Sequence, residues 1–421
     1  MKKNLEISVI GLGYVGLPLA LGLSKKFKVI GFDTNNTKVD HLKKKIDLNG
    51  EFNSLELKKY KKIKYTSDIN EIKKSNTYIV ALPTPILKSK KPDLKYLKNA
   101  CMQLGKLIDG DDLIIFESTV YPGLTEEFCV PLLEKYSNKK LNIDFSIGYS
   151  PERINPGDKK NNLKNITKII SASNSIALKI MKDIYSATCN NLHIAESIKI
   201  AEGAKIIENI QRDINIALVN ELSISFDKLN IDFNKVLAAA NTKWNFQNYK
   251  PGLVGGHCIG VDPYYLAYKL NQKKYHTKLI LAGREINDSY SKFISKKIYI
   301  NRPIKKNKII ILGFAFKENV SDIRNSKVFD LYDELKKRYT KVDIYDPVVN
   351  KKHVIDEYKI KLINKINIKY DICILAVPHR IFSKEKFSLL SQILVNDALI
   401  YDLKNVLPKN FKYKTIIWVK F

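Results

Sequence analysis

Apolar residues along the first 150 positions fall in short blocks. These are Ile7–Ile10, Val29–Phe32, Tyr78–Leu82, Leu113–Phe116 and Phe145–Gly148. Each is four or five residues long, too short for a helix and apolar but for Ser8 and Ser146, as suits a strand covered on both faces. Longer helical or polar stretches separate them; the first helix runs to about Lys26 and has Pro18 in its opening turn. Strands alternating with helices predict a parallel sheet covered on both sides.

From about Ala195 to Leu229 the period changes to that of one long helix. Ile207, Ile210, Ile214, Ala217 and Leu218 fall at helical spacing and predict an apolar stripe, packed inside the monomer or against a second copy. Helical pattern continues to about 295, broken by a glycine-rich loop at 251–260. The last third repeats the opening. Lys308–Leu312 ends at Gly313, Val342–Tyr345 ends at Asp346, Ile372–Val377 ends at Pro378, and Leu399–Tyr401 follows. The expected architecture is α/β, with two doubly wound Rossmann-like domains joined by a long central helix and a helical middle domain. Its boundaries fall at 1–195, 196–297 and 298–421.

Charge changes this picture less than its size suggests. The net charge is +29, but only seven of the 72 basic residues are arginine, the residue best suited to clamp phosphates and read bases. Lysine, isoleucine and asparagine are all abundant, so the surplus reads as a solvated lysine surface, and no nucleic-acid partner is expected. Five cysteines in 421 residues make no disulfide framework and suit a reducing compartment. Lys2 and Lys3 before the apolar stretch Ile7–Leu23 imitate a secretion signal. Glu6 interrupts its start, however, and Lys25 and Lys26 close it with no small-residue cleavage site. No apolar run spans a bilayer. A soluble cytoplasmic protein with no membrane partner is expected.

Gly11-Leu12-Gly13-Tyr14-Val15-Gly16 follows the first predicted strand and opens a helix, the context in which a G-x-G-x-x-G turn holds a dinucleotide pyrophosphate. Asp33 ends the second strand, 17 residues after Gly16, where a carboxylate accepts from a ribose 2′-hydroxyl and repels a 2′-phosphate. NAD is therefore the expected cofactor. Pro83-Thr84-Pro85 and Ser118-Thr119 end predicted strands, which places Thr84 and Thr119 at the cofactor cleft or leaves them as turn hydroxyls. The turn Gly313-Phe314-Ala315-Phe316-Lys317 has a single glycine, so the second sheet is expected to bind something other than a pyrophosphate.

In Gly255-Gly256-His257-Cys258-Ile259-Gly260-Val261-Asp262-Pro263, three glycines crowd one cysteine and allow close backbone approach to a ligand. A thiolate there would attack a carbonyl carbon. Cys101, Cys129, Cys189 and Cys373 read as core residues. His257 and Cys258 have no second pair at ligand spacing, so no metal is expected. Lys205 and Asn209 lie one helical turn apart, with Arg212 near the same face, either as an oxyanion site or as a solvated polar face. Glu152, in the rigid loop Ser150-Pro151-Glu152-Arg153-Ile154-Asn155-Pro156-Gly157, reads as a general acid or base, or as an exposed partner of Arg153. A nicotinamide cofactor with a cysteine nucleophile suggests oxidation of an alcohol to an acid through a thioester, consuming two NAD.

GLGYVGLP (11–18), PTP (83–85), ESTVYPG (117–123), SPERINPG (150–157), AKIIEN (204–209), PGLVGGHCIGVDPYYL (251–266) and GFAFKENVSDIRNS (313–326) together resemble the UDP-glucose/GDP-mannose dehydrogenase family. The likeness runs nearly end to end. KWNF (243–246), IENIQRDINIALVNEL (207–222) and YSPERINPGDKK (149–160) look most like its UDP-N-acetylhexosamine 6-dehydrogenases. The resemblance implies Cys258 as nucleophile, Lys205 and Asn209 as oxyanion stabilisers, and Asp262, Glu152 and Thr119 around the hydrolytic water. It implies cofactor contacts from Gly11, Gly13, Tyr14, Val15, Gly16, Asp33, Lys38, Pro83, Thr84, Thr119, Glu152 and Arg324. Glu152, Arg153, Lys205, Asn209, Tyr249, Gly252, Leu253, Gly256 and Lys317 would hold the UDP-sugar, and a homodimer is expected. Relatives acting on glucose often carry arginine before the cysteine loop. Trp244 and Phe246 stand there instead, suggesting an apolar site for an acetamido group, with UDP-glucose the alternative substrate.

Overall fold

A computed structural model describes residues 5–152, 164–383, 388–408 and 417–420. The chain divides into two compact units. One comprises 1–209 with 264–276, the other 210–263 with 277–421.

The first unit is built on eight strands: β1 (Glu6–Ile10), β2 (Lys28–Phe32), β3 (Ile63–Thr66), β4 (Thr77–Val80), β5 (Asp112–Phe116), β6 (Phe145–Tyr149), β7 (Thr167–Ala172) and β8 (Asn191–Ile194). Their order is β3-β2-β1-β4-β5-β6-β7-β8. The first six follow the doubly wound 3-2-1-4-5-6 order, so β1 and β4 flank the switch point where ligands bind beyond the strands' carboxyl ends. β7 pairs antiparallel with β6 and β8 pairs parallel to β7, so the last two strands run opposite to the first six. Ile7, Val9, Ile79, Leu113 and Ile115 form one buried face of the sheet with Leu17, Leu21 and Met181 from the helices. The first helix is shorter than the sequence suggests, Gly16–Leu23.

The second unit carries β9 (Lys308–Leu312), β10 (Lys341–Tyr345), β11 (Tyr370–Leu375), β12 (Leu394–Asp402) and β13 (Ile417–Lys420), all parallel, in the order β10-β9-β11-β12-β13. This is the other common doubly wound order, again with a switch point beside its first strand. Ile309 and Ile311 face one core and Ile310 and Leu312 the other, the alternation expected of a sheet covered on both sides.

The long helix runs Ile198–Lys228. The expected single stripe is corrected. Ile210 and Ala217 are buried, whereas Ile207 and Leu218 are 60% and 52% exposed. The buried positions mix apolar with polar residues, Glu202, Lys205, Asn209, Asp213 and Asn220 each being less than a tenth exposed. Among the described residues no helix is long and apolar enough to cross a membrane.

Candidate active site

The glycine turn is held by sterics at two positions and open at the third. Gly11 has φ +93°, and a Cβ there would lie 2.6 Å from Ala81 O. A Cβ on Gly16 would lie 1.8 Å from Gly11 O, so only glycine lets the helix start so close to the turn. A Cβ on Gly13 meets nothing within 4 Å, the space a phosphate needs to approach the backbone. Tyr14 and Val15 are half-buried beside it.

Asp33 ties the second strand to that turn. One carboxylate oxygen accepts from Leu12 N (3.0 Å) and from Lys38 Nζ (2.9 Å), the other from Asn35 N (3.0 Å). A carboxylate has about four acceptor positions, so these three bonds leave room for a ribose hydroxyl. Lys38 therefore reaches the cofactor site through Asp33.

Ser118 clips β4 to β5: its hydroxyl donates to Leu82 O (2.8 Å) and accepts from Leu82 N (3.1 Å). This sets Pro83, Thr84 and the half-buried Thr119 side by side at the carboxyl ends of neighbouring strands. Glu202 braces the following loop by accepting from Gly123 N (2.5 Å) and Thr125 N (2.9 Å). Burial pushes its carboxyl up to about 7 against those bonds.

Glu152 is 5% exposed, so the alternative of an exposed ion pair is overturned. Arg153, expected as its neighbour in the substrate site, lies outside the described residues. The Glu152 carboxylate faces the fully buried Lys168 at 3.3 Å, and its main-chain oxygen accepts from Lys205 Nζ at 2.6 Å. Lys205 and Asn209 are both buried, which removes the reading of a solvated polar face; Arg212 is exposed.

In the second unit Asn220 grips the loop before the cysteine. Its amide donates to Gly252 O (3.1 Å) and its carbonyl accepts from Gly252 N (2.8 Å). Leu253 packs on the core of the second sheet, and Tyr249 packs on Val219, Phe233 and Leu237. The glycines around Cys258 have a structural reason that sequence did not show. A Cβ on Gly255 would lie 2.6 Å from Asn325 O, and one on Gly260 2.9 Å from Asn325 Nδ2. Gly256 has φ +85°, and its N and O both bond Asn325. Asn325 thus seats the cysteine loop.

Cys258 is half-buried, while Cys101, Cys129, Cys189 and Cys373 are buried. Cys258 O accepts from Asp262 N (2.8 Å), closing a turn that opens the helix Asp262–Gln272. His257 Nδ1 lies 3.1 Å from Arg324 Nη2 and 3.5 Å from Asp322 Oδ2. Burial opposes protonation of His257, but Asp322 and Cys258 outweigh it and hold the imidazolium up to about 9. Asp322 is held well below the usual carboxylate range by His257 and Arg324, against its burial. Arg324 is thereby engaged within its own unit.

Asp346 repeats in the second sheet what Asp33 does in the first. It accepts from Phe314 N (2.6 Å) and Ala315 N (3.1 Å), and from His379 Nε2 (2.9 Å). His379 in turn accepts from Asn319 N (2.8 Å), which fixes the loop carrying the half-buried Lys317. Trp244 is 97% exposed and packs in no core, so the apolar sugar site expected from it is not formed within its unit. Among the described residues no group of three or more His, Cys, Asp or Glu is placed to hold a metal ion.

Three family models match in sequence. They are the NAD-binding domain of the UDP-glucose/GDP-mannose dehydrogenase family over residues 5–189, its central domain over 199–289 and its UDP-binding domain over 310–409. The chain belongs to the UDP-glucose/GDP-mannose dehydrogenase family. Among its relatives are the UDP-N-acetyl-D-glucosamine 6-dehydrogenases of Salmonella typhi and Pseudomonas aeruginosa. The first is 47% identical over 96% of this chain and 97% of its own, the second 44% over 97% and 98%. Protein CapL of Staphylococcus aureus is 46% identical over 96% of each chain. The solved UDP-D-ManNAc dehydrogenase of Pyrococcus horikoshii superposes with a TM-score of 0.86 at 26% identity, over 99% of both chains.

As a nucleotide-sugar dehydrogenase, the chain uses NAD as oxidant, and the open face at Gly13 with the Asp33 carboxylate fits that cofactor. Sequence reasoning missed Lys168, Glu117, Asn220, Asn325 and Asp322, whose roles arise from contacts distant along the chain.

Proposed function

We propose that the chain oxidises the C6 hydroxyl of UDP-N-acetyl-D-glucosamine to the carboxylate in the cytoplasm, supplying a uronate for surface polysaccharide. The observation that carries this reading is the relationship among relatives. Identity is 44–47% to the two UDP-N-acetyl-D-glucosamine 6-dehydrogenases, but 31% to the UDP-N-acetyl-D-mannosamine dehydrogenase of Methanococcus vannielii.

The balanced reaction is R–CH2OH + 2 NAD+ + H2O → R–COO− + 2 NADH + 3 H+. Bound NAD supplies the oxidant, removing hydride from C6 twice. Glu152 takes the single proton of the C6 hydroxyl, and Asp262 assists that transfer. The Cys258 thiolate adds to the aldehyde carbon, and the Lys205 ammonium with the Asn209 amide stabilises the resulting oxyanion. After the second oxidation Cys258 carries a thioester. Water held by Asp262, Glu152 and Thr119 cleaves the C–S bond and releases Cys258 as thiolate. Tyr249, Gly252, Leu253, Gly256 and Lys317 hold the nucleotide sugar, with Arg153 and Arg324 completing the substrate and cofactor contacts.

Turnover over UDP-N-acetylglucosamine, -galactosamine and -mannosamine and UDP-glucose tests the substrate. The first should lead in kcat/KM by about tenfold or more. UDP-glucose leading would move the assignment, and NAD binding without turnover on any of them would leave a binding protein.

Ile200, Ile207 and Leu218 are 50%, 60% and 52% exposed, and spacings of seven and eleven residues place them on one face of the long helix. We infer that a second copy covers this stripe. Ile207→Asp with Leu218→Asp should convert a dimer to a monomer by light scattering; an unchanged mass would refute it.

A further inference from the structure

Behind Glu152 lies a buried cluster that the reaction above does not use. Lys168, in β7, and Glu117, just after β5, have fully buried side chains. Lys168 Nζ lies 3.0 Å from Glu117 Oε2 and 3.3 Å from Glu152 Oε2, and donates to the main-chain oxygens of Pro151 (3.2 Å) and Ser150 (3.5 Å). The Tyr185 hydroxyl donates to the other oxygen of Glu117 at 2.5 Å, and its ring lies 5.3 Å from the ammonium. One ammonium thus holds two carboxylates and two consecutive carbonyls, at the point where the strand turns into the loop carrying Glu152.

Such an arrangement is poor value as a stabiliser. Desolvating three charges costs more than apolar packing of the same volume, so a buried ionic cluster calls for a reason beyond stability. Its surroundings supply one. Glu152 is tied at its carboxylate to Lys168 and at its carbonyl to Lys205, so the acid–base group and the oxyanion group share a brace. Among the described residues, titratable groups facing it from the packed elements include Lys168, Glu117, Tyr185 and Lys205. Cys189 lies near Lys168, and Glu208 lines a small cavity with Pro151 and Lys205.

We propose that Lys168 is a positioning residue for Glu152, and that Glu117 opposes it by competing for the same ammonium. This rests on the reading of Glu152 as an acid–base group. The opposition is visible in Glu117 itself: burial and Glu152 push its carboxyl up to about 7 although Lys168 pulls it down. Lys168 is held above its ordinary value because the two carboxylates outweigh its burial. Removing the ammonium takes a cation from between the Glu152 and Glu117 carboxylates. Neutralising Glu117 instead removes the second carboxylate that competes for that ammonium. The two changes therefore act in opposite directions on the same group.

The experiment is kcat/KM against pH for wild type, Lys168→Met, Lys168→Arg, Glu117→Gln and Glu152→Gln. Lys168→Met should move the acid limb to higher pH by about one unit and lower kcat at neutral pH about tenfold or more, with KM for NAD little changed. Glu117→Gln should move the acid limb to lower pH, and Lys168→Arg should restore it toward wild type. Limbs that do not move, or move the same way in Lys168→Met and Glu117→Gln, overturn the proposal. If Lys168→Met does not fold, the direction in Glu117→Gln decides alone. The Glu152→Gln rate separates the premise: a wild-type rate removes the acid–base role of Glu152. A crippled rate with unmoved limbs in the other variants removes only the role of Lys168.

Discussion

The Lys205 ammonium donates to the main-chain oxygen of Glu152 at 2.6 Å. The cation proposed to stabilise an oxyanion is therefore seated by the loop that carries the proposed acid–base carboxylate, and neither is placed independently. Lys205→Met should lower kcat by about 10²–10³ with little change in KM for NAD, as loss of an oxyanion donor does. A rise in KM for both substrates with kcat intact would show that Lys205 only binds.

Asp33 supports the glycine turn and is the residue proposed to hold a ribose. Asp33→Ala loses the Leu12 N and Lys38 contacts together, so it should raise KM for NAD about tenfold or more and narrow the preference over NADP. Steady-state kinetics with both cofactors checks this. An unchanged KM for NAD would place the ribose elsewhere.

Asn220 acts from within the second unit on the loop proposed to hold the nucleotide sugar. Asn220→Ala leaves Gly252 N and O without their partner and should cost about 1–3 kcal/mol for each buried group left unpaired. KM for the UDP-sugar should rise more than KM for NAD. Asn220→Asp should do much the same, since a carboxylate cannot donate to Gly252 O.

Two buried groups and one half-buried group make stability fall as pH rises. Burial raises Glu117 and Glu202 to about 7, while Asp322 and Cys258 raise His257 to about 9 against its burial. For a group whose folded value is raised, the stabilisation is complete below the unfolded value and disappears as pH passes through the folded one. For the two glutamates the loss falls between their ordinary value of 4.5 and about 7, and for His257 between 6.5 and about 9. Thermal unfolding should therefore show Tm declining steadily from pH 5 to 9. Glu202→Gln should flatten the lower part of that decline and His257→Gln the upper part; parallel curves would contradict these assignments.

What was legible in the sequence was whatever local geometry forces. Gly11 and Gly16 must be glycine because the helix starts on top of the turn, and Asp33 must follow a strand to reach it. The cysteine loop was legible as a site, although its glycines serve Asn325 as much as any ligand. Contacts between strands distant in sequence were not legible: Lys168 meets Glu117 across 51 positions and Glu152 across 16. β7 and β8 escaped notice because Thr167, Lys168 and Ser171, and Asn191 and His193, interrupt their apolar residues. On the long helix, periodicity merged two faces, since polar residues share the buried positions and Ile207 and Leu218 are exposed.

The thioester on Cys258 is the step on which the proposed chemistry turns. NADH formed per UDP-N-acetylglucosamine consumed, measured with Cys258→Ser alongside, reads it most directly. Two NADH and the uronate are expected from wild type, with no net acid from Cys258→Ser. One NADH with free aldehyde from wild type, or undiminished acid from Cys258→Ser, would contradict it.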